Sequence, residues 1–321
     1  MTASPLANPT ATRQMLERFG LATKHRLGQN FLVDDHVIAK ILDLARLTPE
    51  SHVLEVGPGI GTLTLGMLPH AGSVVSIEAD RELEPVLADL AHEFPRFRYV
   101  MGDALRVGWD EVCVVGTAGE AGLPVDGAAP AAAGADARAA DSPAIEPNIL
   151  VANLPYNVAA TIILKYLEEH PSLQAAVVMV QAEVADRICA TPGTKAYGAY
   201  TAKLRLYGEV TGRFEVPPTC FMPAPHVNSA VVRIDRAPAA DPTTGAPLSP
   251  GQVAATSAVI EAAFAQRRKT IRNSMSASGF DKAALDAAFA ACGIAPTARA
   301  ETLAPEDFVR LATALVPREG A

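Results

Sequence analysis

The sequence predicts an α/β fold, a doubly wound and mostly parallel sheet followed by a small all-α C-terminal domain. Three observations predict it. From Val53 onward, short apolar strand-like runs alternate with amphipathic helical ones, the pattern of a parallel sheet with helices on both faces. The first of these strands runs through a glycine loop into a helix, in "VLEVGPGIGTLTLGML". After residue 251 every periodic segment is helical.

Each element follows from local pattern. Residues 1–11 are rich in Pro, Thr and Ala and are expected to be loose, with a short helix following through Arg18; residues 1–23 form an N-terminal extension. A second helix opens near Asp34, with Val37, Ile38, Ile41, Leu42 and Ala45 at helical spacing. Strands are read at "VLEV", "SVVSIEAD", "RYVMGDA", "NILVANL", "AAVVMVQ" and "SAVVRID". Helices fit between them at "RELEPVLADLAHE", "NVAATIILKYLEE" and "AEVADRICA". Residues 117–147, dominated by Ala, Gly and Pro, interrupt the rhythm and read as a flexible surface insertion. The first domain spans 24–236, residues 236–251 read as a linker, and the helical domain spans 252–321.

A chain of 321 residues that is 49% hydrophobic can bury a sizeable core, and its length suggests one large domain with a smaller companion. No apolar run approaches the ~18 residues of a membrane helix, and no signal-peptide core lies in the first twenty residues, so a cytoplasmic protein away from membranes is expected. Cys113, Cys189, Cys220 and Cys292 form no C-x-x-C pair and the seven histidines are scattered, which predicts neither disulfides nor a metal. The net charge of −8 disfavours a polyanion ligand, but charge distribution matters more than the sum. Basic residues collect at Lys24-His25-Arg26, between Lys195 and Arg205 (with Lys203), and at Arg267-Arg268-Lys269 with Arg272. Each could be a solvated face; together they hint at a polyanion-binding surface.

The glycine loop lacks the dinucleotide fingerprint, because Thr62 stands where its third glycine should be, and this counts against a nicotinamide oxidoreductase. Gly57 and Gly59 let the backbone approach a ligand. Glu78 ends the second strand, 21 residues after Gly57, and suits a carboxylate accepting from both hydroxyls of a ribose. Asp103, at the end of the third strand after Gly102, could take the exocyclic amine of an adenine. Two acids ending adjacent strands make an adenosine pocket without phosphate chemistry.

This order of glycine loop, acid and Gly-Asp resembles the class I S-adenosylmethionine methyltransferases, which implies a Rossmann-like domain with S-adenosylmethionine as cofactor. Asn153-Leu154-Pro155-Tyr156, at the end of the fourth strand, looks like the Asn/Asp-x-Pro-Tyr/Phe motif of amino-methyltransferases. The residue types suit the chemistry. An adenine amine is a poor nucleophile because its lone pair is delocalised into the ring. With its two protons accepted by the Asn153 side-chain oxygen and the Leu154 carbonyl, the nitrogen moves toward sp3 and its lone pair can point at the methyl. Pro155 fixes the backbone and Tyr156 can stack on a base taken out of its helix. No general base is called for, since positioning and carbonyl dipoles supply the catalysis.

"HRLGQNFLVDD" (25–35) and "FMPAPHVNSAVV" (221–232) resemble the ribosomal RNA adenine N6-dimethyltransferases, and the resemblance runs from about Lys24 to Arg310. It implies that Gln29-Asn30-Phe31-Leu32 covers the cofactor, with Asn30 and Leu32 in contact, and that Phe221 is the second aromatic face of a base clamp. Asn153 would adjoin the cofactor as well as the base. Within the family the chain looks most like the bacterial small-subunit type, which dimethylates two adjacent adenosines in the 3′-terminal hairpin loop of 16S rRNA. A monomer acting on 16S rRNA within an immature small subunit is implied, with Lys24, Arg26, Arg267, Arg268, Lys269 and Arg272 holding RNA phosphates. One departure is the 50-residue gap from Asp103 to Asn153, longer than the family usually has. Rival readings are a large-subunit methylase of the antibiotic-resistance type, usually more basic, a DNA adenine methyltransferase, for which no target-recognition domain is seen, and a non-catalytic ribosome-assembly factor.

Overall fold

The computed structural model describes residues 2–21, 30–115 and 144–315. It begins with α1 (Pro9–Arg18), capped by the Asn8 side chain, which accepts from the Ala11 amide at 2.8 Å. Strand β1 (Phe31–Leu32) precedes α2 (Asp35–Ala45), whose cap Asp34 accepts from Val37 N at 3.1 Å. Strands and helices then alternate as the spacing predicts. They are β2 (His52–Val56), α3 (Thr62–Met67), β3 (Ser73–Glu78), α4 (Glu84–Glu93), β4 (Phe97–Met101), α5 (Trp109–Val112) and the short pair β5 (Val114–Val115) and β6 (Ala144–Ile145). After these come β7 (Ile149–Asn153), α6 (Ala159–Glu169), β8 (Ala175–Gln181), α7 (Ala182–Cys189), α8 (Ala199–Leu204), β9 (Gly208–Val216), β10 (Phe221–Met222) and β11 (Ser229–Arg236).

Seven strands form the main sheet in the order β4-β3-β2-β7-β8-β11-β9, and the five from β4 to β8 are parallel where they pair. β3, β7 and β8 are buried at almost every position, as expected of strands covered on both faces. Each fully buried Val, Ile or Leu there contributes roughly 1.5–3 kcal/mol of transfer free energy. The edge strand β9, "GEVTGRFEV", instead alternates exposed and half-buried residues, and its glycines and charges hid it from the apolar-run criterion. The direction of crossing reverses between β2, which leads to β3 and β4, and β7, which leads to β8. A doubly wound sheet opens a crevice beyond its strand ends at that point.

The chain divides into two compact units, Met1–Ala182 with Thr211–Ile234, and Glu183–Val210 with Asp235–Ala321. Residues 183–210 group with the second unit, whereas the sequence reading joined them to the first. The second unit contains α9 (Pro250–Phe264), α10 (Ile271–Ala277), α11 (Lys282–Cys292) and α12 (Pro305–Leu315). Capping explains three of the starts: Ser249, Thr270 and Asp281 accept from Gln252, Asn273 and Ala284 amides. Ile260, Met275, Phe289 and Phe308 fill its core together with Tyr197 and Leu206.

Two expectations are corrected. Residues 2–8 are not loose: Ser4 N donates to Asp35 Oδ1 at 2.9 Å, Ser4 Oγ donates to the Thr62 carbonyl at 2.7 Å, and Leu6 and Ala7 are buried in the first unit's core. Two apolar side chains and one serine outweigh a composition that resembles a tail. Residues 236–251 are likewise more than a linker, since Asp241 accepts from the Thr243 and Thr244 amides and Ala240 bridges to Pro247. Most of the 117–147 insertion lies outside the described residues. Replacing Leu6 with Ala should lower the unfolding free energy by about 2–3 kcal/mol in a urea titration, where a loose segment would show no change.

Candidate active site

Strands β2, β3, β4 and β7 all end at the same edge of the sheet, so the loops that follow them meet there. Between them lies a cavity of about 720 Å³, within the range of small-molecule sites. Gly57 and Gly59 line it with φ of 72° and 62°, left-handed conformations costing other residues roughly 1–2 kcal/mol. At Gly59 a Cβ would also come within 3.2 Å of the Phe31 ring. The loop is therefore glycine both for its turn and because Phe31 rests on it.

Glu78 at the end of β3 is 7% exposed. Its Oε2 accepts from Gly59 N at 3.3 Å and its Oε1 from Asp80 N at 2.9 Å. A carboxylate has about four acceptor positions, so these bonds fix its orientation and leave acceptor capacity for a vicinal diol. Burial raises its pKa above the usual carboxylate value, opposed by the backbone hydrogen bonds from Asp80 and Gly59. Asp103 also lines the cavity, more exposed than Glu78, with Oδ1 accepting from Leu105 N at 2.9 Å and Oδ2 3.6 Å from Arg106 Nε. The acceptors present fit an adenosine-bearing cofactor: a buried acid at the end of β3, a second acid one strand away and glycine backbone beside them.

Asn153, Leu154, Pro155 and Tyr156 line the same cavity, as do Asn30 and Leu32. The structure thus brings together every described residue expected at the cofactor and every member of the Asn-Leu-Pro-Tyr motif. Asn153 Nδ2 donates to the Asn30 carbonyl at 3.4 Å, which leaves its side-chain oxygen as the group able to accept. Leu154 N donates to the Met179 carbonyl on β8 at 3.1 Å, and the Pro155 carbonyl accepts from Val158 and Ala159 amides, starting α6. The Tyr156 hydroxyl lies 2.6 Å from Ser229 Oγ, and burial raises the tyrosine pKa.

Phe221 departs from its expected place. It is 4% exposed, belongs to the core cluster of the first unit and does not line the cavity; its backbone pairs with Leu32 between β10 and β1. The basic residues divide similarly. Arg267, Arg268 and Lys269 are exposed in the connection from α9 to α10, while Arg272 is held by Asp286 in a two-bond pairing at 2.5 and 2.6 Å. Arg272 is therefore less available to a phosphate than its neighbours. Lys203, in the second basic stretch, pairs with Glu261. Lys24 and Arg26, like Gln29, lie outside the described residues. Among the described residues no acidic, His or Cys cluster suits a metal ion, and no helix is long and apolar enough to cross a membrane.

Sequence reasoning missed Glu55, a carboxyl one residue before the end of β2 that borders the cavity yet is 1% exposed. Its Oε2 accepts from Thr64 Oγ1 at 2.6 Å and from Ser76 Oγ at 2.7 Å, tying α3 and β3 to β2 beneath the glycine loop. The signal was present: a lone acid inside the apolar run "VLEV". Burial pushes its pKa up to about 7, against the two hydroxyl bonds and with help from the charge of Glu78.

Comparison with known proteins agrees with this geometry. The family model described as "Ribosomal RNA adenine dimethylase" matches residues 20–316. A protein of Thermobifida fusca named "Ribosomal RNA small subunit methyltransferase A" is 38% identical over 96% of this chain and 95% of its own length. One of the same name from Nocardia farcinica is 39% identical over 96% and 94%. Among solved structures, the dimethyladenosine transferase of Plasmodium falciparum shares the fold, with a TM-score of 0.65 at 21% identity over 87% of this chain and 94% of that one. The 23S rRNA methyltransferase ErmE has a TM-score of 0.60 at 25% identity over 89% and 99%.

A pH dependence follows from Glu55. Its folded pKa of about 7 lies above the ordinary 4.5, so the neutral acid contributes stability that is complete below about pH 4.5 and is lost as pH rises through 7. The loss is on the order of 3 kcal/mol. Replacing Glu55 with Gln, neutral at every pH, should flatten the fall in thermal stability between pH 5 and 7.5, as followed by circular dichroism melts.

Proposed function

The chain belongs to the ribosomal RNA adenine dimethylase family, and from that premise we propose its specific reaction. It transfers methyl groups from S-adenosylmethionine to the exocyclic amines of two adjacent adenosines in the 3′-terminal hairpin loop of 16S rRNA. The observation that supports this most is the shared cavity. Asn153, Leu154 and Tyr156, which suit an adenine amine, stand beside Glu78 and Gly59, which suit an adenosine-bearing cofactor. Relatives named for the small subunit are 35–39% identical over nearly the whole chain, against 25% for ErmE, which favours small-subunit over large-subunit RNA.

S-adenosylmethionine, when bound, supplies an electrophilic methyl on a sulfonium whose leaving group is a neutral thioether. Glu78 would accept from the ribose hydroxyls and Asp103 from the adenine amine of that cofactor, with Asn30 and Leu32 in contact with it. Asn153 Oδ1 and the Leu154 carbonyl accept the two protons of the target amine, which aims the nitrogen lone pair and opposes its delocalisation. Pro155 holds the backbone in position for this, and Tyr156 stacks on the extruded base. No side-chain base is needed, because the attacking nitrogen becomes cationic and can release its proton to water. Catalysis lies in orientation and preorganised dipoles. The exposed Arg267, Arg268 and Lys269 bind RNA phosphates in this reading, with Lys24 and Arg26 doing the same at the other end of the chain and Arg272 in a lesser part. The protein acts as a cytoplasmic monomer on an immature small subunit.

The decisive experiment incubates the protein with labelled S-adenosylmethionine and unmethylated small-subunit particles and maps the product by mass spectrometry. Dimethyladenosine at two adjacent positions of 16S rRNA is expected; label confined to large-subunit RNA, or none, refutes the proposal. Replacing Asn153 with Ala should lower kcat by about 10²- to 10³-fold while leaving cofactor affinity, by calorimetry, within about twofold. Replacing Arg267, Arg268 and Lys269 together with Ala should weaken RNA binding and lower the slope of log affinity against log salt by about 2–3, from the ~0.7–0.9 expected per phosphate contact.

A further inference from the structure

Tyr156 is anchored by a residue outside the cavity wall. Its hydroxyl lies 2.6 Å from Ser229 Oγ, and Ser229, at the first position of β11, is 0% exposed. A side chain so enclosed cannot touch RNA or cofactor. It is nevertheless well placed to fix the tyrosine, because its own strand is fastened: the preceding carbonyl, of Asn228, accepts from Ala182 N at 2.9 Å at the end of β8. Backbone bonds already hold the tyrosine's neighbours, through Leu154 N on Met179 and through Pro155 at the start of α6. What these leave undetermined is the ring, which turns about two side-chain torsions. A hydrogen bond to the hydroxyl fixes the first of these, and with it where the ring stands; the oxygen lies on the axis of the second and does not move with it.

We propose that Ser229 is a positioning residue for methyl transfer, holding the Tyr156 hydroxyl so that the ring stands at one fixed place against the target adenine. The inference rests on the functional reading above. The position of the ring on which the base stacks sets where its amine sits relative to Asn153 and Leu154, and reaction rates are steep in such placement. A stacking ring without the tether would still bind a base, but over a wider range of positions. The effect therefore falls on turnover and not on cofactor binding.

The test is a double-mutant cycle on the full chain with labelled S-adenosylmethionine and unmethylated small-subunit particles. Ser229→Ala should lower kcat about three- to tenfold, the span of one hydrogen bond, with cofactor affinity and KM for the particles changed less than about twofold. Tyr156→Phe, which removes the same bond from the other side, should do the same, and the double variant should be no worse than either. Unchanged kcat in Tyr156→Phe overturns the proposal even if Ser229→Ala fails to fold, and so does a double variant whose loss is the product of the single ones. A wild-type protein that methylates no small-subunit RNA refutes the functional reading instead, so the two failures are told apart.

Discussion

Strands β2 and β7 are neighbours in the sheet although β3 and β4 separate them in sequence, and the pairing of Val53 with Ile149 and Leu54 with Leu150 sets everything at the carboxyl edge. Through that register the glycine loop and the Asn-Leu-Pro-Tyr turn meet, close enough that a Cβ on Gly57 would stand 3.8 Å from the Asn153 carbonyl oxygen. β3 and β4 extend the same edge on one side and deliver Glu78 and Asp103; β8 extends it on the other and holds Leu154 through Met179. A one-residue slip would reverse which side chains face each layer, so the near-continuous burial of these strands also protects the site.

The same edge concentrates buried carboxyls. Glu55 and Glu78 lie on neighbouring strands, and each has its pKa raised chiefly by burial, with hydrogen bonds opposing the shift. Their partners differ in a way that separates their roles. Glu55 is satisfied by two hydroxyls within the fold and secures α3 to the sheet. Glu78 is held by two backbone amides and keeps acceptor capacity facing the cavity. Two acids of similar chemistry are thus distinguished by what surrounds each, one turned into the fold and the other toward the cavity.

Much of this was legible in the chain. The strands from Val53 to Gln181 are apolar runs bounded by turn residues, and acids or amides standing at their carboxyl ends could be assigned to one crevice from the order of elements alone. What escaped had a physical reason in each case. The edge strand β9 alternates exposed and half-buried residues and contains two glycines, so it has no apolar run to detect. Ser4, Leu6 and Ala7 sit in a composition typical of tails, yet Ser4 bonds to α2 and α3 and the other two join the core, which local sequence cannot register. Arg272 reads as one more cation in a basic stretch until Asp286, fourteen residues later, is seen to hold it.

The sequence by itself determined the class of fold, the adenosine-type pocket and the family, because these depend on residue types at short spacing along individual strands and loops. Only the tertiary structure decided how those residues are held. Glu55 becomes a cross-brace when α3 and β3 converge on it, Phe221 is drawn into the core opposite Leu32, and Tyr156 gains its tether when β11 brings Ser229 beside it. Such partners lie from nine to nearly two hundred residues apart in sequence, and only the packing of the sheet and its helices brings them together. Pattern along the chain can name the groups that do chemistry, but it does not contain the distances that orient them.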